Sequence, residues 1–99
     1  MIIDNKEFSV FEIVEDSIGL AKSHELKQSV DKELKSGGKH IALDFGKLNS
    51  INSAGLGVLI GILNNIKSSE GSLKLLNVNE RIMNIFKITK LDTIFDINK

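Results

Sequence analysis

Ser53 is the residue of this chain whose surroundings are best suited to chemistry. It lies in the segment N-S-I-N-S-A-G-L-G-V-L-I-G, residues 49–61, between a strand-like apolar run at 41–45 and an apolar run with helical spacing at 56–66. Backbone amides at the start of a helix lack partners and carry partial positive charge. A phosphate on Ser53 would therefore meet a favourable field, and the pattern predicts a hydroxyl suited to phosphorylation.

Two other roles for Ser53 are open at this point. As a nucleophile it would need a base and a strained elbow, but the elbow pattern G-x-S-x-G has glycine where this chain has Ile51. The two histidines are the candidate bases. His40 is expected at the start of a strand, at the end opposite the loop, and His24 at the start of a helix with no evident acid to orient it. The simpler interpretation is a helix cap, shared with Asn52, and spacing alone favours that cap.

The other polar and small residues near Ser53 predict structure rather than cofactor chemistry. Gly55, Gly57 and Gly61 have the spacing G-x-G-x-x-x-G, which is not the dinucleotide fingerprint, and no phosphate-loop lysine follows. We expect these glycines to let the helix approach the sheet closely. Asp44 lies within an apolar strand, where it is expected to pair with a backbone amide or with a lysine such as Lys47. No cofactor and no metal site are predicted.

Composition narrows the class of protein. Ninety-nine residues predict one domain spanning 1–99, and 13 basic against 13 acidic residues give zero net charge, which argues against a nucleic-acid partner. The aromatic residues are five phenylalanines, and cysteine is absent, so thiolate metal sites and disulfides are excluded. The first residues do not resemble a signal peptide and no stretch is long enough to span a membrane, so we expect a cytoplasmic protein without a membrane partner.

The elements around the Ser53 loop alternate between strand and helix. Residues 8–14 predict one or two edge strands that Ile18 and Leu20 extend, and Ser23 predicts the cap of a first helix. The apolar stripe of that helix is Leu26, Val30 and Leu34, and Gly37-Gly38 ends it. Residues 39–45 predict a central strand, because both of its faces are apolar.

After the loop, a helix is predicted at 53–69, with a broad apolar stripe that must press against a sheet. A further strand is predicted from Leu73 to Val78. Asn79 is expected to cap a third helix, whose inward residues are Ile82, Ile85 and Phe86. A last strand or packing tail contains Ile94, Phe95 and Ile97. The order predicts a small α/β domain with a mixed, mostly parallel sheet and right-handed crossovers, and Ser53 at the carboxyl edge of its strands.

The segment I-A-L-D-F-G-K-L-N-S-I-N-S-A-G-L-G-V-L-I-G resembles the signature of STAS domains, the anti-sigma factor antagonist family. That signature is a hydrophobic strand, a short loop and D-S-S-G-L-G or S-S-A-G-L before an apolar helix. The flanking segments H-E-L-K-Q-S-V-D-K-E-L and G-S-L-K-L-L-N-V-N-E-R-I-M-N-I-F-K-I-T-K-L-D-T-I-F resemble the first helix and the closing strand, helix and tail of the family. The resemblance implies a small α/β domain whose mixed sheet is covered on one side by helices.

The same resemblance implies a function and its residues. Ser53 matches the serine that a partner, both kinase and anti-sigma factor, phosphorylates in the antagonist branch. The unphosphorylated form captures that partner and frees the sigma factor, the phosphorylated form releases it, and a phosphatase resets the switch. Partner binding would involve Asn52, Ala54, Gly55 and Leu56, and no enzymatic activity is expected.

Two departures from the family pattern are visible. Asn52 stands where the family often has aspartate, and residues 16–19, D-S-I-G, stand where it tends to have Gly-x-Leu-Asp. The neutral Asn52 favours an alternative, a STAS scaffold subunit of a larger signalling or transport complex that does not switch by phosphorylation. A small hydrolase using Ser53 is a second alternative from another class.

Overall fold

Short β-strands and longer helices alternate along the computed structural model, which describes residues 1–13 and 23–97. The strands are β1 (Ile2–Ile3), β2 (Lys6–Glu7), β3 (Ser9–Glu12), β4 (His40–Asp44), β5 (Ser72–Leu76) and β6 (Asp96–Ile97). The helices are α1 (Ser23–Lys35), α2 (Ser53–Ser68) and α3 (Glu80–Ile88), followed by a 3₁₀ turn, Leu91–Thr93. The predicted elements therefore occur in the predicted order, with α2 and β4 within a residue or two of their predicted bounds.

Strands β3 to β6 form one parallel sheet in the order β3-β4-β5-β6. Val10 pairs with Ala42, Ala42 with Lys74, and Lys74 with Asp96, so one row of residues crosses the whole sheet. Strand β4 is interior and buried at Ile41, Ala42 and Leu43, which confirms the predicted central strand. Strands β1 and β2 pair antiparallel with each other and form a separate two-stranded sheet.

The helices described by the structure pack on one face of this sheet. Alternate strand residues point to opposite faces, and Ile41, Leu43, Leu73 and Leu75 share one buried cluster with residues from all three helices. The helix members of that cluster are Leu26, Val30, Leu56, Leu59, Ile62, Leu63, Ile66, Ile82, Met83 and Phe86. Each such side chain stabilises the fold by about 1.5–3 kcal/mol when fully buried. The arrangement confirms a small α/β fold with helices on one side.

The opposite face of the sheet is covered by the β1–β2 hairpin. Phe8, Ala42 and Leu76 form a second buried cluster, against which Ile3 packs. Beside it the half-buried Lys74 binds two carboxylates, with Nζ 2.6 Å from Asp96 Oδ2 and 3.1 Å from Asp4 Oδ2. Hydrogen bonds to Asp96 and then to Asp4 raise the pKa of Lys74. This ion cluster ties the hairpin to the last strand.

The predicted burial of apolar residues is confirmed in α1 but only in part at the C-terminal end. Leu26 and Val30 are buried and Leu34 is half-buried, as the stripe in α1 predicts. At the C-terminal end Phe95 is buried, but Ile94 is exposed and does not belong to the last strand. The capping side chain of Ser23, the sheet extension by Ile18 and Leu20, and the loop at 16–19 lie outside the described residues.

Candidate functional site at the Ser53 loop

Asn52, rather than Ser53, caps helix α2. Asn52 has extended backbone angles, and its side-chain Oδ1 accepts a hydrogen bond of 2.9 Å from the amide of Gly55. Its carbonyl oxygen accepts the first helical bond, from the amide of Leu56 at 3.0 Å. Ser53 is thus the first helical residue. The predicted cap, shared between Ser53 and Asn52, is therefore confirmed for Asn52 and wrong for Ser53, because the adjacent amide side chain already fills that position.

The five residues at the helix start divide into an outer and an inner group. Asn52, Ser53 and Ala54 are exposed, whereas Gly55 and Leu56 are buried, the latter with 9% of its surface exposed. The buried pair fixes the helix start against the core, and the outer group forms the surface that another protein can touch. All five residues of the predicted site are therefore together at the loop–helix junction.

The electrostatic environment of Ser53 suits an anion. Within the described α2, the first turn carries no acidic side chain. The first amides of a helix have no intrahelical partner. The Asn52 side chain accepts a hydrogen bond from the Gly55 amide, and the amides of Ser53 and Ala54 point out of the helix start. Because these amides carry the positive end of the helix dipole, negative charge added here is stabilised.

The loop before α2 is anchored where β4 ends. Leu48 is buried, and its amide donates to the carbonyl oxygen of Phe45 at 3.0 Å. Asp44 Oδ1 accepts from the amide of Gly46 at 2.9 Å and from Asn77 Nδ2 at 3.0 Å. The predicted backbone partner of Asp44 is confirmed. Lys47, named as the alternative partner, instead has its Nζ 3.4 Å from Glu12 Oε1.

Asn79 joins the same loop to helix α3. Its Oδ1 accepts from the amide of Ile82 at 2.9 Å, which confirms the predicted cap. Its Nδ2 donates to the carbonyl oxygen of Leu48 at 3.0 Å. Sequence reasoning missed this second bond, because the two residues are 31 positions apart and nothing local in the sequence reports their pairing.

Two of the three glycines of α2, Gly57 and Gly61, do not have the predicted role, whereas Gly55 is buried. Gly57 is exposed, and a methyl group added there would meet no atom within 4 Å. Gly61 faces helix α1, where an added methyl would lie 3.1 Å from Lys27 Nζ. Neither glycine therefore brings the helix close to the sheet. Gly57 instead lies one helical turn after Ser53 and leaves the surface beside the serine free of side-chain bulk.

Comparison with known proteins decides the family. The STAS domain model matches residues 3–99. A candidate anti-sigma factor antagonist of Thermotoga neapolitana is 34% identical over 96 residues, covering 88% of this chain and 85% of that protein. The chain belongs to the STAS domain family. The resemblance noted in the sequence is thereby confirmed.

The chain is also similar to two further proteins. The anti-sigma-B factor antagonist of Bacillus subtilis is 46% identical over 48 residues, which is 48% of this chain and 44% of that protein. The NMR structure of the protein TM1081 has a TM-score of 0.83 and 30% identity, covering 100% of this chain and 78% of that one. A second structure of that protein is described as a candidate anti-sigma factor antagonist from Thermotoga maritima.

Of the two histidines considered as candidate functional residues, His40 lies away from the Ser53 loop. His40 is the first residue of β4, at the sheet end opposite the Ser53 loop, and its Nδ1 lies 2.7 Å from Ser72 Oγ. The side chain of His24 is outside the described part of the chain. Among residues 25–97 and 1–13, no cluster of three His, Asp or Glu side chains has metal-binding geometry. No described helix is long and apolar enough to cross a membrane.

Proposed function

We propose that this STAS domain is an anti-sigma factor antagonist that switches by phosphorylation of Ser53. Unmodified, it binds an anti-sigma factor with serine kinase activity and so frees a sigma factor for transcription; phosphorylated, it releases that partner until a phosphatase restores it. The observation that carries the proposal is the exposure of Ser53 at the first position of α2, with the cap taken by Asn52.

The proposed switch acts through charge and not through a change of fold. Phosphorylation adds about −1.5 to −2 charges at pH 7. The amides at the start of α2 stabilise this charge in the free protein, whereas an acidic or apolar partner surface held against it would be repelled or desolvated. A loss of about 3 kcal/mol would weaken binding roughly a hundredfold.

The surface around Ser53 supports the approach of a kinase. Ala54 and Gly57 are exposed and small, so these two positions add little side-chain bulk to the helix surface near the hydroxyl. Gly55 and Leu56 would act indirectly, by holding the helix start in place. In this proposal the protein is a non-enzymatic binding module that works in the cytoplasm and makes no contact with nucleic acid.

The test is phosphorylation by the cognate anti-sigma factor kinase with ATP, followed by mass spectrometry. We expect one phosphate on the parent, none on Ser53→Ala, and one on Ser50→Ala, an exposed serine of the same loop. We also expect the phosphorylated protein to bind the kinase about a hundredfold more weakly than the unmodified protein. A phosphate that persists in Ser53→Ala would assign the site to another residue.

One alternative is favoured by a specific residue. The neutral Asn52 lacks the charge that the family often places before its serine, which suits a scaffold subunit that does not switch. Co-purification separates the two: an ATPase of the kinase type among the partners supports the antagonist, and a transporter subunit supports the scaffold. The hydrolase alternative would be revealed by labelling of Ser53 with a serine-reactive phosphonate.

A further inference from the structure

Asn79 makes two hydrogen bonds in different directions from one side-chain amide. Its oxygen accepts from the amide of Ile82 and so begins α3, while its nitrogen donates to the carbonyl oxygen of Leu48 in the loop before Ser53. We propose that Asn79 is a positioning residue, which fixes the Ser53 loop on the start of α3. Its consequence for phosphorylation rests on the proposed function of Ser53.

Capping alone does not require asparagine at this position. Serine, threonine and aspartate provide the same acceptor for a helix amide, and all of them cap helices well. Asparagine is the member of this set whose side chain also carries an NH₂ group. In Asn79 that group is directed to Leu48, a residue with 1% of its surface exposed. A carbonyl in such surroundings is costly to leave without a donor.

The bond to Leu48 falls between the two ends of the loop that leads to Ser53. One end of the loop is held at Asp44 and Gly46, and the other is held by the Asn52 cap. Between these ends, Asn49 and Ser50 are exposed and Ile51 is half-buried. Leu48 is therefore the interior anchor of the loop, and Asn79 determines where this anchor lies relative to α3.

The variant Asn79→Asp separates the two roles. It keeps the oxygen that caps α3, but places a second carboxylate oxygen opposite the Leu48 carbonyl, where two acceptors repel. Asn79→Ser removes the NH₂ group that donates to Leu48 and leaves a shorter hydroxyl side chain, without adding charge. Asn84→Asp is the matched control, because it makes the same chemical change at an exposed position of α3.

Hydrogen exchange of two amides is the first readout. The Leu48 amide bonds to Phe45 within the loop, and the Ile82 amide reports the cap. In Asn79→Asp and Asn79→Ser, we expect the Leu48 amide to exchange about tenfold faster while the Ile82 amide keeps its protection. In Asn84→Asp both amides should exchange as in the parent. Equal acceleration of both amides, or of neither, would overturn the positioning role.

Phosphorylation kinetics are the second readout. With the anti-sigma factor kinase and ATP, kcat/KM for Ser53 should fall about tenfold in Asn79→Asp and remain unchanged in Asn84→Asp. A loosened loop with an unchanged kcat/KM would overturn the link between Asn79 and Ser53. If the parent itself takes no phosphate, the proposed function fails, and the comparison of the two amides still decides whether Asn79 holds the loop.

Discussion

Replacing Asn52 by alanine removes the acceptor that begins α2. The lost hydrogen bond is the 2.9 Å contact between Asn52 Oδ1 and the amide of Gly55. Gly55 is buried, so water cannot readily replace that acceptor, and the cost falls in the upper half of the range for helix caps, about 1.5 kcal/mol. For a chain of this size, such a loss lowers Tm by roughly 7 °C.

Asn52→Asp is the matched variant for this prediction, because aspartate caps as well as asparagine does. Thermal and urea unfolding should place its stability within about 0.5 kcal/mol of the parent, with Asn52→Ala clearly below both. Phosphorylation of Ser53 should also slow in Asn52→Ala, since the frayed helix start no longer presents the hydroxyl in one place. The reasoning is refuted if Asn52→Ala is as stable as the parent, or if the aspartate and alanine variants are equally unstable.

Two further predictions concern backbone space and charge. Gly57→Ala should stabilise the fold by about 0.5–1 kcal/mol, because alanine favours helix and the added methyl meets no neighbour. Gly71→Ala should destabilise it by about 1–3 kcal/mol, because the methyl would overlap the Lys39 carbonyl oxygen. Urea unfolding of both variants measures these opposite changes in stability, and changes of the same sign would contradict the described contacts. Hydrogen bonds to the carboxylates of Asp96 and Asp4 raise the pKa of Lys74 above its ordinary value of 10.5, so their stabilisation is complete below pH 10.5 and is lost as the pH rises further. Unfolding free energies measured across that pH range should fall more steeply for the parent than for Lys74→Met, and parallel curves would argue against this ion cluster.

The helix carrying the candidate site was predictable because its signals are local. The apolar run from Leu56 has helical spacing, and a cap-forming asparagine stands directly before Ser53. The same logic holds for α3, where Asn79 precedes the apolar positions Ile82 and Phe86. Position on the carboxyl edge followed from the parallel order of strand and helix. What local patterns did not decide was which of two adjacent polar residues caps α2.

The features that escaped sequence reasoning depend on contacts between distant residues. The β1–β2 hairpin turns at Asp4 and Asn5, both with positive φ, but it lacks the glycine that normally signals such a turn. Lys74 lies within the predicted strand that starts at Leu73, and nothing near it in the sequence indicates that the hairpin brings Asp4 onto it. The bond from Asn79 to Leu48 likewise depends on how the β5–α3 connection lies beside the loop. Such pairings become visible only once the chain is folded.

Some residues of the Ser53 loop are held by hydrogen bonds and others are exposed, and this difference determines which positions can change in sequence without loss of the fold. Leu48 and Asn52 hold the loop, while Asn49 and Ser50 project outward between them. Substitutions at these two outward positions alter what a visiting protein meets without disturbing the buried core. Duplicated copies of this gene would thus come to bind different proteins through changes at these two positions, and randomising the same pair is a route to altered binding specificity.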